Sequence, residues 1–388
     1  MREIGKVTVL GAGIAGLAVA RALALKGAEV TILEQAPEIR EVGAGLQISP
    51  NGARVLEALG LGDALGAFGD RAEAVELIDG ETGGRVIRLD MTRDPRLGLF
   101  RFIHRADLVD LLAEGARAAG VAIRFMQKVE KADIGNHPPR LTFAPGHTLE
   151  ADLLIGADGL HSKVRAALNG TIAPFFTHQV AWRATLPESG GIAPVARVYL
   201  GRGRHIVTYP LRGGTLRNIV AVEERSKWAE ESWSLTDDPL ALRIAFADFG
   251  PEVRRWLDRI ERPNLWGLFR HPVAARWQAR GAAILGDGAH PTLPFLAQGA
   301  NMALEDAWVL ADCLSREAPE TALAAYQAAR EARARRIVDT ANANARNYHL
   351  SGLKRDFAHA GLRLAGRIAP GRMLRRFDWL YRHDVTAG

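Results

Sequence analysis

The spacing of apolar positions changes twice along the chain. Residues 7–10 read as a short buried strand, 14–26 as a helix and 29–33 as the next strand, the order of a βαβ unit. Helices are predicted at 50–59 and 105–118, and strands at 121–125 and 153–155. Residues 73–79 and 84–90 alternate apolar and polar around Gly83-Gly84, which predicts a hairpin. From about 175 to 271 strand-like runs dominate, at 180–186, 195–200, 204–211, 216–223 and 264–270. They are interrupted by a loop holding Trp228 and Trp233 and by short helices near 239–247 and 251–258. This spacing predicts an antiparallel sheet rather than further βαβ units. A last strand at 282–285 precedes helices at about 299–314 and 320–347.

The pattern describes an α/β protein with a discontinuous nucleotide domain, residues 1–72, 98–173 and 272–350. A β-rich domain, residues 73–97 and 174–271, is inserted into it, and 351–388 form a helical tail. Trp182 and Arg183, on the first strand of the insertion, are expected to pack in its core. The basic stretch from Lys354 to Arg376 is expected to be a solvated helix packed on its own domain.

At 388 residues, 48% hydrophobic and 24% charged, the chain can bury a large core. The net charge of +6 is spread among acids with no basic block interleaved with aromatics. That disfavours nucleic acid and suits small phosphorylated or acidic ligands. Cys313 is the only cysteine, so no internal disulfide or thiolate metal site is expected, and a cytoplasmic location is compatible. The first apolar run is broken by Gly11, Gly13 and Gly16, which favours a nucleotide-binding unit over a secretory signal. No apolar stretch reaches the roughly 20 residues of a membrane span.

Those glycines, in Gly11-Ala12-Gly13-Ile14-Ala15-Gly16, follow a strand and open a helix, the context of a dinucleotide fingerprint. Gly11 makes the turn, Gly13 lets the pyrophosphate approach, and Gly16 packs helix on strand. The helix N-terminus offers N–H groups to the phosphates. Glu34 ends the second strand, placed to accept from ribose hydroxyls. NAD and FAD fit this loop equally. Two further glycine segments, Gly156-Ala157-Asp158-Gly159 through Arg165 and Gly286-Asp287-Gly288-Ala289-His290, favour one extended cofactor held by the whole chain, with FAD the natural candidate.

The late segment continues through Pro291 and Pro294 to Gln298-Gly299-Ala300-Asn301 and Glu305-Asp306-Ala307. Together the three segments resemble the single-component FAD-dependent aromatic hydroxylases of the p-hydroxybenzoate hydroxylase superfamily, over essentially the whole chain. Glu34-Gln35-Ala36-Pro37, Gly203-Arg204-His205-Ile206-Val207-Thr208-Tyr209-Pro210, Leu296-Ala297-Gln298-Gly299 and Trp379-Leu380-Tyr381 are most similar to the salicylate hydroxylase, 3-hydroxybenzoate 6-hydroxylase and 6-hydroxynicotinate monooxygenase subgroup. The resemblance implies a Rossmann-like FAD-binding domain of glutathione-reductase type with a β-rich substrate domain. It implies FAD contacts from Gly11, Gly13, Ile14, Ala15, Gly16, Glu34 and Gln35, then from Arg40 and Gly45 around a mobile-flavin loop. Arg105 should touch FAD, Asp158 and Arg165 should serve FAD and the nicotinamide nucleotide, and Asp287 should bind the ribityl chain. Gly286, Pro294, Gly299, Ala300 and Asn301 should approach the pyrophosphate and ring. Gly288 departs from a commoner alanine, a mild change, and His290 should be structural.

In such a hydroxylase a flavin C4a-hydroperoxide is the electrophile, and a phenol attacks it better once deprotonated. His205 and Tyr209 stand at i and i+4 of a strand, so both face one way about 13 Å apart, and an aromatic ring fits between them. His205 is the expected base, since an imidazole titrates near neutrality. Gln298 is expected to orient substrate or peroxide, and Tyr209 to bind a ring substituent. The implied activity is hydroxylation of a phenolic aromatic acid with NADH or NADPH as transient co-substrate and O2, and a homodimer is compatible. A hydroxylase of larger aromatic or quinone-type substrates is the nearest alternative. A non-catalytic FAD-fold binding protein is the alternative of a different class.

Overall fold

The computed structural model describes residues 3–39, 44–135, 137–225, 235–350, 352–368 and 370–387. Arg40, Trp228 and Trp233 lie outside the described residues. The chain opens with β1 (Lys6–Leu10), α1 (Ile14–Leu25) and β2 (Glu29–Leu33). Helix α1 is apolar nearly all round because protein encloses it, burying Leu17, Ala18, Val19, Ala20 and Leu23. After β3 (Gly45–Ile48), α2 (Pro50–Ala58), α3 (Gly62–Phe68) and β4 (Asp70–Arg71), the chain leaves as a hairpin, β5 (Ala74–Asp79) and β6 (Arg85–Asp90). It returns with β7 (Arg101–His104), α4 (Arg105–Ala118) and β8 (Ala122–Arg124). Next comes a small antiparallel sheet of β9 (Val129–Asp133), β10 (Arg140–Phe143) and β11 (Thr148–Glu150). The apolar pattern did not mark it, because its strands are short and half exposed.

β12 (Leu154–Gly156) and α5 (Lys163–Asn169) lead into the second large sheet. That sheet holds β13 (Phe175–Pro187), β14 (Val195–Gly201), β15 (Arg204–Leu211), β16 (Leu216–Glu224) and, after α6 (Pro239–Ala245) and α7 (Pro251–Asp258), β17 (Asn264–Arg270). The chain re-enters the first sheet with β18 (Gln278–Ala279) and β19 (Ala282–Ile284), then forms α8 (Gly299–Arg316) and α9 (Pro319–Asn347). α10 (Gly352–Ile368), α11 (Pro370–Arg375) and α12 (Asp378–Tyr381) complete it.

The first sheet has the order β18-β19-β12-β1-β2-β8. β1 runs parallel to both neighbours, with Leu10 level with Gly156 and Leu33, and Gly156 is level with Ile284. The carboxyl ends of these strands therefore share one edge, where open α/β sheets bind ligands. This register places the three glycine segments side by side.

The second sheet has the order β17-β13-β16-β15-β14-β5-β6. It departs from the expected all-antiparallel pairing at one place: β14 runs parallel to β5, which arrives from far upstream. β13 also starts earlier than its apolar run, with an irregular register between Phe176 and Gln179. One face packs Trp182, Tyr199, Ile206 and Ile219 under Phe246, Phe249 and Trp256 from the α6–α7 side. The opposite face, with Ala181 and Val222, meets Leu293 and Phe295 from the late glycine segment.

Helix α10 docks on the β5–β6 hairpin. Arg355 pairs with Asp79 at 2.8 Å and Glu81 at 2.7 Å, and Gly366 lies against Ile87. Leu353, Phe357, Leu364 and Ile368 stay exposed. Among the described residues no helix is long and apolar enough to cross a membrane.

Candidate active site

The glycine segments form a cradle that backbone packing dictates. Gly11 has φ +103, and a Cβ there would sit 2.5 Å from the Ala157 carbonyl oxygen. A Cβ on Gly16 would stand 1.9 Å from the Gly11 carbonyl oxygen. No residue with a side chain fits either place. A Cβ on Gly13 would meet nothing within 4 Å, so the backbone is open on the side where a pyrophosphate approaches. Gly13 caps α1 without a side-chain hydrogen bond, which leaves the N–H groups of Ile14, Ala15 and Gly16 directed outward. The Glu34 carboxylate accepts from the Ala12 amide at 2.7 Å and the Ala36 amide at 2.8 Å. It stands at the loop as expected, with each oxygen already anchored to backbone, and Gln35 is exposed beside it.

The later segments close on this loop. Gly286, at φ +58, lies against Ala15, where an added Cβ would come within 3.0 Å of the Ala15 Cβ. Asp287 is exposed to the cleft yet walled by protein. Burial of its carboxyl raises its pKa, against the pull of His290, Arg105 and His271. A Cβ on Gly288 would make only ordinary contacts of 3.6 Å, so the departure from alanine costs nothing in space.

Asp158 and Arg165 each bind neighbouring protein groups as well. Asp158 accepts from Ser162 Oγ at 2.5 Å and from the Lys163 amide at 2.6 Å, locking the start of α5. Arg165 donates to the Gly288 carbonyl at 3.0 Å and the Pro272 carbonyl at 2.6 Å, so it braces the late segment against the middle one.

Gln298 and Asn301 also turn into protein. Gln298 Oε1 accepts from Asn51 at 3.1 Å and its Nε2 donates to Ser49 Oγ at 3.0 Å. These bonds tie its amide, at the start of α8, to the loop after β3. Asn301 accepts from the Ser49 amide at 2.9 Å and donates to the carbonyls of Gln47 and Ala297. Its side chain ties β3 to α8. Pro294 opens the turn before α8, Ala297 takes a left-handed φ of +52, and Gly299 and Ala300 begin the helix, half-buried with free N–H groups.

Beneath this helix lies a buried ionic cluster. Arg330 pairs with Glu305 at 2.6 Å and Asp306 at 2.8 Å, Arg333 pairs with Glu305, and His290 meets Asp306 at 2.5 Å. Burial pushes both carboxyls up, but the arginines and His290 outweigh it and hold each at about 2. His290 is thus structural, as its motif position implied.

Opposite the cradle stands the inner face of the second sheet. His205 and Tyr209 share that face with Arg183, since β15 pairs His205 with Val222 and β13 pairs Arg183 with Val220. His205 is 1% exposed, its ring 5.6 Å from Phe295 and 5.1 Å from Tyr348. Burial and the neighbouring His349 hold its pKa well below the ordinary value, so it is neutral at pH 7. Tyr209 stacks on Phe102 at 5.1 Å and lies directly over Gly45, where any Cβ would strike its ring at 2.5 Å. The Gly45 amide donates to Asn218 Oδ1 at 2.8 Å. Gly45 therefore joins the two halves of the site.

Residues 5–341 match the FAD binding domain family. The chain belongs to that family. It is 37% identical over 357 residues to 3-amino-4-hydroxybenzoate 2-monooxygenase of Streptomyces cremeus, covering 89% of this chain and 88% of that protein. It is 32% identical to 3-hydroxybenzoate 6-hydroxylase 1 of Aquipseudomonas alcaligenes, covering 98% of both. The fold superposes on Klebsiella pneumoniae HpxO complexed with FAD and uric acid with a TM-score of 0.83, at 26% identity and 94% coverage of each chain. The protein is an FAD-dependent aromatic monooxygenase with a Rossmann-like FAD domain and a β-rich substrate domain.

Two residues of this monooxygenase escaped sequence reasoning. Trp182 packs in the core as expected, donating to Asp237 at 2.8 Å, but Arg183 points to the opposite face. There its guanidinium lies 3.8 Å over the Trp266 ring. Burial and the repulsion of Arg105 pull it down to about 9, which still leaves it charged at neutral pH. Strand parity was the available signal: Arg183 is out of phase with Trp182 and in phase with Ala181. The other is His349, just beyond α9, which bonds to His205 across 144 residues of sequence. Nothing local marks it.

Proposed function

We propose that this monooxygenase hydroxylates a phenolic aromatic acid with NADH or NADPH and O2. The observation that carries the reading is the pairing of a half-buried, charged arginine, Arg183, and a buried neutral histidine, His205, on one wall facing the cradle. The first suits a carboxylate and the second a phenolic proton. The aminohydroxybenzoate and hydroxybenzoate named for the relatives carry both groups, which supports the choice.

The residues present fit FAD. The open Gly13 backbone and the start of α1 would hold the pyrophosphate, Glu34 the adenosine ribose, Asp287 the ribityl chain, and the start of α8 the ring side. When bound and reduced by the nicotinamide, FAD supplies the activated oxygen. The chain's own residues bind and prepare the acceptor. Arg183 draws in the carboxylate, and His205 takes the phenolic proton. Removing that proton raises the electron density of the ring carbon that is to be hydroxylated. Burial of His205 and Tyr209 excludes water that would otherwise divert the oxygen.

The test is a screen of hydroxybenzoates and hydroxynicotinates for stimulated NAD(P)H oxidation, with product analysis, in the wild type and in His205→Ala. Loss of a general base should lower coupled hydroxylation roughly 100- to 10,000-fold. Undiminished, fully coupled hydroxylation by His205→Ala would remove His205 as the base. Failure of every phenolic acid to stimulate the enzyme would overturn the substrate class.

A further inference from the structure

We propose that His205, His349 and Glu224 form a proton wire that carries the substrate's phenolic proton from the buried site to solvent. His205 Nδ1 lies 2.8 Å from His349 Nε2, and His349 Nδ1 lies 2.8 Å from Glu224 Oε1. Exposure rises along the row: His205 is 1% exposed, the His349 side chain 2%, and the Glu224 side chain 54%. The wire thus spans the wall from inside to water.

The carboxylate sets every proton in it. Glu224 accepts, so His349 carries its proton on Nδ1 and accepts at Nε2. His205 must then donate from Nδ1, and its Nε2 is left as a bare lone pair. A second observation agrees. Gln179 Nε2 is placed 3.3 Å from His349 Nδ1 while its Oε1 is buried without a partner. Exchanging the two ends of that amide turns the oxygen toward the Nδ1 proton and satisfies it. Burial keeps both histidines neutral.

This inference rests on the reading of His205 as the base, and it answers a difficulty in that reading. A histidine that so disfavours its charged form cannot store a proton. In the wire it need not. The phenolic O–H breaks as His205 Nε2–H forms, His205 Nδ1–H passes to His349 Nε2, and His349 Nδ1–H passes to Glu224. Glu224 then releases the proton to water. When the hydroxylated ring regains aromaticity, its oxygen takes a proton back along the same row, which restores each tautomer.

His349→Gln separates conduction from positioning, because its amide oxygen still accepts from His205 Nδ1 but cannot pass a proton on. Wild type, His205→Ala, His349→Gln and Glu224→Gln are loaded with FAD and mixed with the phenolic substrate without oxygen, and phenolate absorbance is followed. His349→Gln should slow phenolate formation at least about 10-fold, with unchanged substrate Kd and partial rescue by added imidazole. Glu224→Gln, at the exposed end, should slow it several-fold and serves alone if His349→Gln does not load FAD. Wild-type rates in loaded His349→Gln, or in Glu224→Gln if that is the variant available, overturn the wire. A His205→Ala enzyme that forms phenolate normally overturns the base reading instead, so the two failures are distinguishable.

Discussion

Replacing Arg183 by Met removes the half-buried charge that the proposed substrate carboxylate would meet, while keeping a long apolar stem over Trp266. A hydrogen bond to a charged group is worth about 1.5–3 kcal/mol. At 1.4 kcal/mol per tenfold, the acid should bind the variant about 10- to 150-fold more weakly. The methyl ester of the same phenol has no charge to lose, so its affinity should change little. Acid and ester would be titrated against the flavin absorbance of both proteins, followed by steady-state NAD(P)H oxidation with product analysis. FAD content should be unchanged, because Arg183 stands on the sheet facing the cradle and not in it. Equal weakening of acid and ester, or a wild type that prefers the ester, would refute the assignment of Arg183.

Gly16→Ala places a methyl 1.9 Å from the Gly11 carbonyl, so the variant should purify with at least about tenfold less bound flavin by absorbance ratio; a full complement of FAD would sink the cradle geometry. Arg330→Met leaves Glu305 and Asp306 buried without the counter-charge they share, and thermal unfolding should show a loss of about 3–5 kcal/mol. Both carboxyls are held at about 2, below their unfolded values near 4. Their contribution is therefore complete above about pH 4 and is lost as pH falls toward about 2. Acid unfolding followed by tryptophan fluorescence should begin at higher pH in Arg330→Met than in the wild type.

The cradle was legible because its demands are local. A strand, three glycines and a helix start specify a phosphate site within six residues, and parallel register then brings the other two segments alongside. His205 was legible through the motif around it. Arg183 was not, because a single charged residue among apolar neighbours on a strand reads as a satisfied core position until the second face is known to look into a cleft. The resemblance implies that Gln298 orients substrate or peroxide and that the backbone around Asn301 approaches the cofactor. What it does not mark is that their side chains satisfy Asn51, Ser49 and Gln47, since a helix that begins inside protein must settle its polar neighbours there.

The same constraint explains why the site needs a cluster as costly as Glu305, Asp306 and Arg330. α8 presents its N-terminus to the cleft, and its first turns must hold that direction while substrate and nicotinamide come and go. Hydrophobic packing alone is non-directional. The ionic cluster fixes the helix by angle as well as distance: Asp306 holds the Gly286 amide at 3.0 Å, His290 and Arg330 at once, and Glu305 reaches Asn51, which in turn holds Gln298. One network therefore sets the late glycine turn, the start of α8 and strand β3 through Ser49 and Asn301. Loosening it should disturb flavin binding before it disturbs the substrate wall, since Arg183 and His205 belong to the other sheet and meet this network only across the cleft.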